Sequence, residues 1–217
     1  MSTLPEIPYN YLVIEGNIGS GKTTFSEMIG RDYPSTLILE QFADNPFLPF
    51  FYEDPQRYGF PVELFFMTER YKQLQALGTQ GDLFHSLMVS DYGFVKTLLF
   101  ARINLPPDEF RIFQKLWMVL ESSLPRPELI VFLHRPVPEL LGLIEKRGRE
   151  YEKQIKADYL QRVQDIYFEY FRGESQIPIL LFDIQGKDFL EDQAYYEELL
   201  RVIAQTHRPG MQHIRIH

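Results

Sequence analysis

The sequence predicts an α/β fold: a single domain on a five-stranded parallel sheet with helices on both faces. Three observations predict it. Short apolar runs alternate with stretches of helical periodicity five times along the chain, and such alternation calls for crossover helices that return each strand parallel to the last. The run Leu129-Ile130-Val131-Phe132-Leu133 is apolar without interruption, as a strand buried on both faces must be. Near the start, Tyr11-Leu12-Val13-Ile14 passes through a glycine-rich turn into the periodic stretch Thr24-Phe25-Ser26-Glu27-Met28-Ile29, which reads as strand, tight turn and helix.

In chain order, Tyr33-Pro34 ends the first helix and Thr36-Leu37-Ile38-Leu39 forms the second strand, closing at Glu40. The aromatic and proline-rich segment from Phe42 to Tyr58 shows no period and is expected to wall a pocket. From Pro61 to Leu77 apolar residues recur at helical intervals, with Glu63 and Arg70 on nearly the same face. His85 to Ser90 reads as the third strand, followed by Asp91. Helices are expected from about Phe94 to Ile103 and from about Asp108 to Ser122, separated by Pro106-Pro107. After the Leu129–Leu133 strand a helix runs from about Val137 to Lys146. A long helix is expected from Glu152 to Phe171, with Gly173 as its stop. Pro178 to Phe182 is the last strand. Asp188 and Glu191 are spaced as a capping box for a final helix reaching about Gln205. The domain core is expected over about 9–206, with 207–217 as a loose tail.

With 217 residues, 45% apolar and 24% charged, the chain is long enough for a sizeable core. A formal charge of −8 disfavours nucleic acid or an acidic membrane surface as a partner. The absence of cysteine excludes disulfides and thiolate chemistry. The N-terminal residues carry no basic stretch followed by an apolar core, and no apolar run approaches the ~20 residues needed to span a bilayer. A cytoplasmic location is the expectation.

The turn itself carries chemistry. Gly16-Asn17-Ile18-Gly19-Ser20-Gly21-Lys22-Thr23 has the spacing G-x-x-x-x-G-K-T, in which glycines let successive backbone N–H groups point inward at phosphate oxygens beside a helix N-terminus. With Thr24 this forms a nest for a polyphosphate. Lys22 is placed to reach the β- and γ-phosphates, and the Thr23 hydroxyl to hold a magnesium ion. Ligands of open parallel sheets lie beyond the carboxyl ends of the strands, so Glu40 should share a crevice with the loop. The run Lys146-Arg147-Gly148-Arg149-Glu150-Tyr151-Glu152 is either a solvated helix end or a flap whose arginines close over phosphates.

Together these features resemble the deoxynucleoside kinases of the group containing deoxycytidine, deoxyguanosine and deoxyadenosine kinases, in particular a bacterial purine-type member. The anchors are Glu15 to Thr23, Glu40, the segment Phe51-Tyr52-Glu53-Asp54-Pro55-Gln56-Arg57-Tyr58, and Arg147 to Glu152, which is similar to the family's lid. The resemblance extends from Tyr11 to about Leu200. It implies a P-loop kinase fold with a short arginine-bearing lid, and transfer of the γ-phosphoryl group of ATP to the 5′-hydroxyl of a deoxynucleoside for dNTP salvage. Lys22, Arg147 and Arg149 would neutralise charge on the donor, and Glu40 resembles the general base, with magnesium held through water as its alternative role. Tyr52 and Glu152 match positions that bind the sugar 3′-hydroxyl. Phe100 matches an aromatic that stacks on the base, though core packing explains it equally. Asp188-Phe189 falls in the loop that contacts the donor's adenine, though a capping aspartate explains Asp188 as well. Relatives pair through two helices, and the 108–122 helix is suited to such a homodimer.

Two departures bear on specificity. Relatives generally carry glutamine where this chain has Glu63; an ionised carboxylate only accepts, which suits the two adjacent donors of guanine, with Arg70 on the far side. Deoxyguanosine is then expected to be at least as good as deoxyadenosine. After the third strand, Ser90-Asp91-Tyr92 lacks the family's arginine. Asp91 stands either in the arginine's place or, with a one-residue shift, as the acidic partner of magnesium, which electrostatics favours. Lys96, one turn beyond Tyr92, could supply the lost charge. Two other readings share the loop: a nucleoside monophosphate kinase resembling thymidylate kinase, and a nucleotide-dependent regulatory module.

Overall fold

In a computed structural model, residues 4–40, 45–78 and 87–216 are described. Their elements run β1 (Tyr11–Gly16), α1 (Lys22–Asp32), β2 (Ser35–Ile38), α2 (Leu48–Phe51), α3 (Pro55–Gly78), β3 (Leu87–Ser90), α4 (Val95–Asn104) and α5 (Pro107–Glu121). Then come β4 (Leu129–His134), α6 (Val137–Arg147), a 3-10 turn (Glu150–Gln154), α7 (Ala157–Gly173), β5 (Pro178–Asp183), α8 (Gln193–Ile203) and β6 (Gly210–Ile214). All pairings are parallel, in the order β2-β3-β1-β4-β5-β6.

The period of two along the strands divides the core. Tyr11 and Val13 of β1, with Ile130 and Phe132 of β4, pack with Leu99, Phe113, Val163 and Tyr167 from α4, α5 and α7. Leu12 and Ile14, with Leu129, Val131 and Leu133, face Phe25 and Ile29 of α1 and Tyr196 and Leu199 of α8. Both faces are covered, which is why β1 and β4 tolerate no polar residue mid-strand except one, Glu15, treated below.

Several boundaries differ from the sequence reading. The sheet has six strands: residues 210–214, expected to lie in a loose tail, pair with β5 through partners such as Ile179 and Met211. As an edge strand β6 is half-buried, so it needs no apolar run to announce it. Within the segment from Phe42 to Tyr58, residues 42–44 lie outside the described residues, but α2 and the start of α3 fall inside it. Helix α3 thus begins at Pro55 and takes Pro61 into its interior. The long helix expected from Glu152 starts instead at Ala157, because Ile155 is extended and buried with Leu140, Ile144 and Leu160. The final helix is capped by Asp192, whose carboxylate accepts from Tyr195 N at 2.9 Å. Asp188 instead accepts from Leu190 N at 2.9 Å within the preceding turn. Of the third strand, His85 and Ser86 lie outside the described residues.

Candidate active site

The crevice opens where β1, β2 and β3 end. Glycines shape the loop after β1: Gly19 and Gly21 have φ of 83° and 93°, a region that side chains resist. A Cβ on Gly16 would stand 2.3 Å from Ser20 Oγ and 3.0 Å from the Leu133 carbonyl oxygen. Asn17 locks the loop from within, its Nδ2 donating to Leu160 O at 2.8 Å and its Oδ1 accepting from Ile18 N at 2.8 Å. Lys22, buried at the first position of α1, turns its Nζ back toward Asn17 O at 3.4 Å. Burial, reinforced by the charge of Lys96, lowers its pKa to about 8. A phosphate entering the nest would reverse that by supplying the missing negative charge.

Asp91 ties the loop to the next strand end. It accepts from the Thr23 hydroxyl with one oxygen and from the Glu40 backbone N–H at 2.7 Å with the other. Glu40 in turn holds two cations: Arg70 donates from Nε at 2.8 Å and from Nη2, both to Oε1, and Lys96 Nζ donates to Oε2. The third arm of Arg70, Nη1, is fixed by Thr97 Oγ1 at 2.8 Å. Burial alone would raise the Glu40 pKa, but Arg70, Lys96 and Lys22 outweigh it and bring it down to about 2. Glu15 lies below, accepting from Gly93 N at 2.7 Å and Tyr167 OH at 2.8 Å. Burial raises its pKa.

Two clefts meet here. One, of about 590 Å³, is lined by Lys22, Tyr52, Glu63, Arg70, Lys96, Phe100, Asn104, Arg147, Glu152 and Tyr159, among others. Within it Asn104 Nδ2 donates to Glu63 Oε1 at 2.7 Å and reaches Tyr159 OH at 3.2 Å. Phe100 is partly buried, its ring 5.6 Å from Lys96 Nζ and edge-on to Tyr167. The other cleft, of about 1010 Å³, is bounded by Gly19 to Thr24, Arg135, Arg147, Arg149, Asp188 and Phe189. Lys22 and Arg147 line both.

The arginine-rich run does stand at the cleft mouth. Helix α6 ends at Gly148, φ 70°, and Arg147 then grips Glu152 with Nε at 3.0 Å and Nη2 at 2.6 and 2.7 Å, while Arg149 reaches the same carboxylate at 3.5 Å. Phe189 is 2% exposed, its ring T-shaped against Phe25 at 5.1 Å and pressed under Gly21. It supports the loop from behind while its edge reaches the second cleft.

The sequence reading assigned no role to Glu15, Thr97, Asn104, Arg135 or Tyr159. Arg135 is buried and donates to the carbonyl oxygens of Ser20 at 3.4 Å, Ile184 at 3.2 Å and Lys187 at 2.9 Å, joining the loop to the opposite wall of the second cleft. Its signal was its place just beyond an apolar strand, as for Glu40 and Asp91. Asn104 had the weaker signal of lying two helical turns after Lys96.

Comparison with known proteins gives one family. The family model described as deoxynucleoside kinase matches residues 12–207. A deoxyguanosine kinase of Bacillus subtilis (strain 168) is 32% identical, covering 92% of this chain and 96% of that one. A deoxyadenosine/deoxycytidine kinase of the same organism is 26% identical, covering 91% and 94%. The solved structure of deoxyadenosine kinase from M. mycoides with bound dATP superposes with a TM-score of 0.73 at 21% identity, covering 88% of this chain and 97% of that one.

Proposed function

The chain belongs to the deoxynucleoside kinase family, and from that premise we propose that it moves the γ-phosphoryl group of ATP to the 5′-hydroxyl of a purine deoxynucleoside, with deoxyguanosine at least as good as deoxyadenosine. The observation that carries this reading is the junction of two clefts at Lys22, with the Glu40 carboxylate held by Arg70 and Lys96 from the wall of one of them and close enough to feel the Lys22 charge. Family membership sets aside the monophosphate kinase and the regulatory module. The name of the 32% identical relative, deoxyguanosine kinase, supports a purine, while that of the 26% identical one, deoxyadenosine/deoxycytidine kinase, pairs a purine with a pyrimidine.

Donor phosphates fit the loop amides and Lys22, with Arg147 and Arg149 at the rim and Phe189 behind. The Thr23 hydroxyl and Asp91 carboxylate, already facing each other at the loop, have the oxygen chemistry magnesium requires. When bound there, the ion would neutralise charge on the β- and γ-oxygens. On the acceptor side, Tyr52 and Glu152 would take the 3′-hydroxyl, Phe100 the face of the base and Glu63 its edge. Arg70 lines the same cleft; each of its three nitrogens donates once, to Glu40 or Thr97, which aims Glu40 and leaves two further N–H groups for the far side of the base.

A carboxylate of pKa about 2 is a weak base. It suffices in a loose transition state, where the 5′-oxygen becomes acidic only as the phosphoryl group arrives. Glu40 then accepts a hydrogen bond from the hydroxyl first and the proton late. Fixed by Arg70 and Lys96, it also holds that oxygen in line with the donor.

Among the described residues no helix is long and apolar enough to cross a membrane; a cytoplasmic location is part of the proposal. The homodimer is proposed through α5. The test of the function is ADP release with each of the four deoxynucleosides and with their monophosphates: deoxyguanosine and deoxyadenosine should lead, and the monophosphates should release none. Release with monophosphates alone would end this reading.

A further inference from the structure

We infer that Glu63 selects the nucleobase by its own protonation: ionised it takes guanine, and protonated it takes adenine. This rests on the proposed deoxynucleoside kinase activity and goes beyond it. The geometry comes first. Glu63 is 2% exposed on the wall of the acceptor cleft. Asn104 Nδ2 donates to its Oε1 at 2.7 Å, and its Oε2, equally buried, has no hydrogen-bond partner among the described residues. A buried polar atom left without a partner is costly unless a ligand supplies one. The donation from Asn104 marks Oε1 as an acceptor in either protonation state. Oε2 is therefore the atom that gains or loses the proton, and Asn104 is a positioning residue for it.

The two states present different edges. With Oε2 bare, the carboxylate offers two acceptors, matching the ring N–H and amino group of guanine. Adenine would set its own ring nitrogen lone pair against that charge. With Oε2 protonated, Glu63 offers one donor beside one acceptor, matching the ring nitrogen and amino group of adenine. In the same register guanine would then set its ring N–H against an O–H, and it could pair only by sliding along the edge to its carbonyl oxygen and ring N–H. Each mismatch leaves a buried polar group unpaired, the strongest discrimination a pocket can exert.

The surroundings place this exchange near neutrality. Burial raises the Glu63 pKa to about 7, against the opposing pull of the Asn104 hydrogen bond and the charges of Arg70 and Lys96, while Glu40 adds to the rise. The titratable and charged groups facing it are Arg70 on its own helix, Lys96 on α4, Glu40, Tyr159 on α7, and across the cleft Lys22, Tyr52, Arg147, Tyr151 and Glu152. Glu40 titrates near 2, and burial holds the phenols of Tyr52 and Tyr159 well above their ordinary range. Lys22, at about 8, serves the donor and acts on both nucleosides alike.

The experiment is the ratio of kcat/KM for deoxyguanosine to that for deoxyadenosine, measured on the whole enzyme between about pH 5.5 and about 8.5, where neither base titrates. Effects common to both substrates cancel in the ratio. It should climb at least about tenfold with rising pH and report one inflection. The Glu63→Gln variant, whose amide always pairs one donor with one acceptor, should give a flat ratio displaced toward deoxyadenosine. Should that variant fail to fold, the wild-type profile decides alone. A flat or falling wild-type ratio with both nucleosides turned over overturns the inference and leaves the kinase reading intact. Phosphorylation of neither nucleoside at any pH overturns both.

Discussion

Lys96 closes on Glu40: its Nζ, carried by the first turn of α4, donates to Oε2 of a carboxylate whose side chain is 2% exposed. The arginine expected after the third strand is absent from Ser90-Asp91-Tyr92, and this lysine brings a positive charge to the carboxylate proposed to meet the 5′-hydroxyl. Lys96→Met should lower kcat by about 10²-fold, the size of effect expected from removing one preorganised charge at a reacting centre. The KM for the nucleoside should change far less. Steady-state kinetics with both substrates varied check this, and an unaltered kcat would make the pair purely structural.

Glu40→Gln keeps the shape of the side chain and removes its capacity to accept a proton. The expected loss in kcat is about 10²- to 10⁴-fold, with nucleoside binding by calorimetry largely preserved. A larger loss of affinity than of turnover would instead assign Glu40 to binding.

Asp91 reaches both Thr23 and the Glu40 amide. Asp91→Asn keeps an acceptor for the Glu40 amide, replaces the other oxygen by an N–H that can donate to the Thr23 hydroxyl, and removes the charge that attracts a cation. The magnesium concentration giving half-maximal rate should rise about tenfold or more, with most of the rate restored at high magnesium. Equal magnesium dependence in variant and wild type would exclude Asp91 from the metal side.

Two of the legible positions share one property: a charged residue follows an apolar run at the carboxyl end of a strand, where it is costly unless used. Glu40 and Asp91 follow β2 and β3 in that way, and the structure brings them within one hydrogen bond of each other. Lys22 and Thr23 were legible for a different reason, since their spacing to the glycines is itself the geometry. The roles of Asn104 and Arg135 were not legible, although Arg135 also follows a buried strand, because the groups that define those roles are remote in the chain, Glu63 in one case and the carbonyls beyond β1 and β5 in the other. The sixth strand was missed because an edge strand with one wet face reads as polar. The early start of α3 was hidden by aromatic residues on several of its sides and by Pro61.

The raised pKa of Glu63 also bears on stability. Its folded value of about 7 exceeds the ordinary 4.5, so between those values the folded state binds the proton and the unfolded state does not. The unfolded state then holds fewer protons, and stability falls as pH rises through that window. The loss relative to Glu63→Gln should be on the order of 3 kcal/mol across it. Denaturant unfolding of both proteins at a series of pH values measures it; parallel curves would place the Glu63 pKa near its unfolded value.

The outer face of α5 makes the last prediction. Phe113 points inward and is fully buried, while Ile112 and Val119 stand 58% and 71% exposed with Leu116 between them. Their spacing sets them along one side of the helix, and Met118 adjoins them, also exposed. Single exposed apolar residues are ordinary, but a stripe along one helix is the pattern of a contact surface. A two-fold pairing through this face would bury the stripe against its own copy, and every substitution would count twice across the interface. Sedimentation of the wild type at micromolar concentration should give twice the mass of the chain, and Leu116→Glu should give a monomer with unchanged far-ultraviolet circular dichroism. A wild-type monomer under those conditions, or a variant that still pairs, would move the interface elsewhere.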